Sequence, residues 1–244
     1  MTWSILAYDP ETGAFAVAVT TCAFAVGASC PFVRPGVGAV STQAMTNRFL
    51  GPAVLDALAR GLSPRAAIET ALCGDDGKIL RQVHAIDRSG RHAIWTGGSC
   101  FDWAGGVSAP YVGVTGNTLA GPRVVEHTLA RYLAGPAEPM TERLIGALMA
   151  GQRAGGDARG KQSAALKLIT TEDFPDIDLR VDDHPEPLDE LARLLAVWRR
   201  DRAPTLANAP SRANPSGVTD LAVLDADRIA GGFTPRPRRE SVLQ

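Results

Sequence analysis

A hydroxyl residue in second place, Thr2, heads an apolar run, Thr2-Trp3-Ser4-Ile5-Leu6-Ala7-Tyr8. With Met1 removed, that residue would carry its own base. A free α-amine has a pKa of about 7.7–8.0, so near neutral pH part of it is unprotonated and can take the hydroxyl proton, directly or through one water. Nucleophile and general base would then share one residue, which attacks an amide carbonyl, passes through an acyl-enzyme and needs donors for the developing oxyanion. Thr2 is small enough for an aminopeptidase to remove Met1. If Met1 stays, the acylated nitrogen cannot act as a base, and the run is a strand that starts early for packing.

Other polar residues could complete such a site if the fold gathers them around Thr2. Asn117 follows an apolar run with Gly116 at its side, which suits an oxyanion donor at a strand end and equally suits ordinary turn chemistry. Asp157 and Arg159 lie in the loop Gly155-Gly156-Asp157-Ala158-Arg159-Gly160. Their charge pair could orient the terminus, or the guanidinium fork could take a substrate carboxylate, with flanking glycines for a close backbone approach. Gln162 and Ser163 open the next strand and could reach the same place, as could Thr21 and, at another strand end, Ser41, Thr42 and Gln43. Cys100, after Thr96-Gly97-Gly98-Ser99, is the alternative nucleophile and would need His84 or His92 as a base; a buried, inert thiol is the plainer reading. Asp182-Asp183-His184 has metal-ligand chemistry, but Pro185 and Pro187 place it before a helix, where acids suit the dipole, so no metal is expected.

Positioning these groups falls to a chain of 244 residues, 45% hydrophobic, long enough for one large core. Its 25 basic and 26 acidic residues leave a net charge of −1, which argues against a nucleic-acid binder and suits a small-molecule substrate. No charged start leads into an apolar stretch and no run is long enough to span a bilayer, so a cytoplasmic protein without membrane contact is expected. Cys22, Cys30, Cys73 and Cys100 stand far apart, which favours thiols over disulfides.

Residues 2–8 and 14–20 predict a hairpin across Asp9-Pro10-Glu11-Thr12-Gly13, and the unbroken apolar stretch of 14–19 predicts a sheet covered on both faces. A strand follows at 37–43, with Pro31 and Pro35 read as breaks before it. Helices are predicted over 51–60 and from Ser63 as N-cap, strands over 81–87 and 92–96, and an irregular glycine-rich segment over 97–106. A strand at 111–115, helices over 122–134 and 141–153, strands at 162–169 and 178–181, and an amphipathic helix ending near Arg200 complete one domain, residues 1–200. Residues 201–244, with five prolines and no sustained period, read as a flexible or partner-docked extension. Strand groups alternating with helix pairs predict an α+β fold, a four-layer αββα sandwich.

Residue strings in one order carry a more specific signal: Thr2-Trp3-Ser4-Ile5, Pro35-Gly36-Val37-Gly38-Ala39-Val40, Trp103-Ala104-Gly105, Leu119-Ala120-Gly121-Pro122 and, above all, Gly155-Gly156-Asp157, Arg159-Gly160 and Gln162-Ser163-Ala164-Ala165. The pattern resembles the bacterial domain-of-unknown-function family 1028 from about Thr2 to Arg200. The resemblance implies an αββα sandwich like that of N-terminal-nucleophile hydrolases. Many family members carry a basic residue where this chain has Cys22. Taken together, the expectation is a hydrolase of a small amide, ureido or related C–N bond, acting through Thr2, Asn117 and Asp157, with Arg159, Gln162, Ser163, Thr42, Gln43 and Thr21 around the substrate. No cofactor is required, and a homodimer is expected. The alternatives are a non-catalytic ligand-binding or scaffolding protein of the same fold, and thiol chemistry at Cys100.

Overall fold

The computed structural model describes residues 2–101 and 103–232. The chain divides into two units, residues 1–192 and 193–244. In the first, β1 (Thr2–Tyr8) and β2 (Phe15–Thr21) form the opening hairpin, closed by Gly13 at a φ of 74° that favours glycine. They are the centre of a six-stranded sheet. There β1 pairs on its other side with β8 (Val112–Leu119), which carries the edge strand β7 (Trp103–Ala109). Beyond β2 lie β9 (Ser163–Ile169) and β10 (Ile177–Val181), and all pairings are antiparallel. A second antiparallel sheet has the order β3 (Pro31–Arg34), β4 (Gly38–Ala44), β5 (Arg81–Asp87), β6 (His92–Thr96).

The two sheets pack face to face through β1, β2, β3, β4 and β5. Helices α1 (Leu50–Ala59) and α2 (Pro64–Leu72) cover the outer face of the smaller sheet; α3 (Arg123–Ala134) and α4 (Met140–Arg153) cover the larger one. This is the four-layer αββα order expected from the sequence. Ser63 caps α2, its hydroxyl accepting the Ala66 N–H at 3.3 Å.

Two strands depart from the sequence expectation, and both are sheet edges. Pro31, read as a break, is the first residue of edge strand β3, where its missing N–H costs nothing in the ladder. The segment 97–106, expected to be irregular, enters β7 at Trp103; this strand is half-exposed, so few apolar residues mark it. The strand expected at 111–115 continues through Gly116 and Asn117 to Leu119.

Strand alternation divides side chains between two layers. On β5, Val83 and Ala85 join Val40, Val54, Leu58 and Ile68 under the helices, while Ile86 faces between the sheets with Leu6, Phe15, Val17 and Ala39. The inter-sheet layer is apolar at this end and polar at the other.

The last helix of the first unit, α5 (Pro187–Asp201), runs on into the second. The second unit also holds α6 (Ala203–Leu206) and α7 (Leu221–Ala230), so part of the expected extension is helical, with the Asp220 carboxylate accepting the Ala222 N–H at the start of α7. Its end, residues 233–244, lies outside the described residues. Among the described residues no helix is long and apolar enough to cross a membrane.

Candidate functional site

Thr2, Ser4 and Leu6 share one face of β1, and Leu6 fixes that face as the inter-sheet one. Thr2 therefore points into the polar end of this layer, opposite Asn117 in register with β8. Its hydroxyl donates to Thr21 Oγ1 at 3.2 Å. Its carbonyl accepts from Asn117 Nδ2 at 3.3 Å and Gln43 Nε2 at 3.4 Å, long contacts that hold it less firmly than the network behind. In that network, Gln82 Oε1 accepts from Asn117 Nδ2 and Gln43 Nε2, each at 2.9 Å, and Gln82 Nε2 donates to Gly116 O at 2.8 Å and Thr96 Oγ1 at 3.0 Å.

The chain of donors continues to a histidine pair. Ser4 and Ser41 donate their hydroxyls to Gln43 Oε1 at 2.8 and 3.2 Å, so the one proton of Ser4 is committed. His84 Nε2, 2.7 Å from Ser4 Oγ, must then be the donor, and neutral His84 accepts at Nδ1 from His92 Nε2 at 3.0 Å. Burial lowers the pKa of both rings, that of His92 to about 4, and the nearby His92 charge adds to the lowering at His84. Ser4, Gln82 and the His84 contact to Ser4 were missed in the sequence. The signal was there: Gln82 and His84 alternate with Val83 and Ala85, which marks a strand with one polar, inward face.

The loop after α4 closes the end of β8. Ala120 N donates to Gly156 O at 3.1 Å, and Asp157 bridges to Leu119. The Asp157 carboxylate accepts from Cys22 N at 2.8 Å, Arg159 N at 2.9 Å, and the Arg159 guanidinium at 3.3 and 3.4 Å. It thus ties the loop to the end of β2. Gly155, Gly156 and Gly160 have φ of 123°, 55° and 121°, values that favour glycine and set the loop's path.

A cleft of about 480 Å³ opens beside Asn117, walled by Ala44, Met45, Leu80, Ser99, Cys100, Phe101, Thr118 and Arg159. Ala44 and Thr118 line it in the left-handed region, at φ of 68° and 51°. For a β-branched threonine this is a strained backbone of the kind that clusters at functional sites.

The other expected residues divide by strand parity. Thr21 touches Thr2 and, through its carbonyl, the Gln162 N–H at 2.9 Å. Thr42 points the other way from Gln43 and donates to Asn47 O. The Gln162 side chain reaches Asp183, and Ser163 donates to Ala23 O and accepts from Val26 N. Cys100 lines the cleft, but its thiol donates to Arg81 O at 3.6 Å and burial raises its pKa, while His84 is held by Ser4 and His92. Asp182, Asp183 and His184 turn to Arg180, Gln162 and the Glu186 N–H respectively.

Fold and site define a four-layer αββα protein with a threonine at the polar end of its inter-sheet layer, next to a cleft. The chain belongs to the Family of unknown function (DUF1028), whose model matches residues 2–191. A crystal structure of a protein of that family from Silicibacter pomeroyi is 30% identical, covers 90% of this chain and 99% of its own, and superposes with a TM-score of 0.83. Anbu (ancestral beta-subunit) from Yersinia bercovieri aligns at 11% identity over 86% of this chain and 99% of its own, with a TM-score of 0.37. No curated protein matches the chain.

Proposed function

We propose that the protein is a hydrolase of a small amide or ureido-type C–N bond, with Thr2 as nucleophile and general base once Met1 is removed. Met1 itself lies outside the described residues. The observation that carries the reading is the placement of Thr2: its hydroxyl lies against Thr21 Oγ1 and its carbonyl against Asn117, itself a wall of the cleft. In the reaction the α-amine takes the Thr2 hydroxyl proton as Oγ attacks the substrate carbonyl carbon. The C–N bond breaks as the amine leaves with that proton, and water then hydrolyses the Thr2 ester. Asn117 acts through Thr2 in this scheme. Both of its amide hydrogens are committed, to Thr2 O and Gln82 Oε1, so serving an oxyanion would require it to release one. The hydroxyls of Ser99 and Thr118 in the cleft wall are the alternative donors.

Intact mass of the protein after expression without an N-terminal tag tests the scheme first, with loss of Met1 expected. A small α,β-epoxyketone, which needs both Oγ and a free α-amine to close its ring adduct, should then add once, at Thr2. Full retention of Met1, or equal labelling of Thr2→Ala, sinks the mechanism.

A non-catalytic ligand-binding protein is the second reading, favoured by how fully the polar groups around Thr2 are engaged with one another. Under that reading Thr2→Ala binds ligand unchanged and the wild-type protein turns nothing over.

A further inference from the structure

We propose that the cleft beside Thr2 takes a neutral amide bearing an aromatic ring, with Phe101 and Met45 as the side chains that select the ring; this rests on the hydrolase reading above and specifies its substrate class. Met45, Leu80 and Phe101 line the cleft, and Met45 and Phe101 are 56% and 68% exposed. Large apolar side chains left this open in a concave wall point to a ligand that covers them. The polar groups beside them are hydroxyls. Among the described residues neither Ser99 Oγ nor Thr118 Oγ1 has a hydrogen-bond partner, so both can meet the carbonyl and N–H of an amide. The charged residue of the described wall, Arg159, is already engaged by Asp157, and no charge is asked of the ligand.

The apolar side chains stand on a backbone that is fixed before any ligand arrives. Met45 N donates to Leu80 O at 3.2 Å, the Arg81 guanidinium donates to Met45 O, and Ser99 N donates to Ile79 O at 2.9 Å. Thr118 N donates to Phe101 O at 3.1 Å, so the left-handed Thr118, at a φ of 51°, holds the Phe101 backbone at the cleft. Strain of this kind persists where the surrounding structure imposes it, and here its product is the position of an exposed ring. A preformed apolar wall spares a ligand the cost of ordering it. An aromatic ring gains from such a wall beyond its buried area, by packing on the Phe101 ring and against the Met45 thioether. About 480 Å³ holds a ring and an amide. Asn117, in register with Thr2 across β1 and β8, is the wall residue that joins this surface to the terminus.

The test uses full-length Thr2→Ala protein, so that nothing is consumed, titrated calorimetrically with three neutral probes, N-benzoylglycinamide, N-cyclohexanecarbonylglycinamide and N-acetylglycinamide. The benzoyl probe should bind at least ~10-fold more tightly than the acetyl one, the ring being the difference. It should also bind more tightly than the cyclohexane probe, although burial alone would favour the more apolar saturated ring. Adding Phe101→Ala and Met45→Ala, both surface substitutions that leave the fold intact, should bring the benzoyl and acetyl affinities to within about 3-fold. Equal binding of the benzoyl and acetyl probes, binding of neither, a lead for the saturated ring, or a preference that survives the double substitution overturns the proposal. So does a second copy of the chain over these side chains, seen by light scattering as a dimer that binds no probe and dissociates on the double substitution. Release of benzoate by the wild-type protein is then measured separately. A ring preference without release defeats the hydrolase reading and leaves the binding inference standing.

Discussion

At the scale of single residues, the Asn117 amide nitrogen serves Thr2 O and Gln82 Oε1 in a layer closed to water. Neither acceptor can turn to solvent if it is lost. Both keep Gln43 Nε2 as a donor, so Asn117→Ala is expected to cost about 1 kcal/mol, the net worth of a lost hydrogen bond, read from urea unfolding. The same variant should label more slowly at Thr2 with the epoxyketone, because the carbonyl that orients the terminus has lost its nearer clamp. A variant as stable as the wild type would mean that Gln43 alone holds this carbonyl.

At the scale of elements, the layers touch at positions where only glycine fits. A Cβ on Gly51 of α1 would stand 2.3 Å from the Phe32 ring of β3. Alanine favours a helix interior over glycine by about 1 kcal/mol, whereas overpacking costs about 1–3 kcal/mol. Gly51→Ala should accordingly lower stability by about 1 kcal/mol, measured as a fall in the urea midpoint; a rise would show that Phe32 turns aside freely. Edge position also explains which elements were hidden in the sequence. β3 and β7 pair on one side only, so neither needs the unbroken apolar run that makes β2 legible.

At the scale of the whole molecule, the pair of buried His84 and half-buried His92 makes stability depend on pH. Unfolded histidines take up protons near pH 6.5, while in the fold His92 resists until about 4 and burial holds His84 well below its usual range. The unfolded state thus binds more protons in this window, and stability present at pH 7 is lost as pH falls from about 6.5 toward about 4. His92 alone should account for on the order of 2–3 kcal/mol, read from urea midpoints between pH 7.5 and 4.5. Asp75, held near 2 chiefly by Arg81 and Asn47, does not titrate in that range. A midpoint that is flat with pH would place the histidines in water.

The sequence by itself determined the layers and their family. Apolar runs, caps and glycines act locally, so β1, β2, the Ser63-capped helix and the loop of Gly155–Gly160 could be read without coordinates, as could Thr2, Asn117 and Asp157 as residues to watch. Tertiary structure alone decided which of them meet. One residue of strand parity sends Gln43 to Thr2 and Thr42 to Asn47, and sheet pairing brings Gln82 and Asn117, far apart in the chain, within 2.9 Å. Such contacts depend on register and sheet-on-sheet packing, which no local pattern encodes; the same packing commits the Asn117 hydrogens and leaves Arg159 facing the cleft.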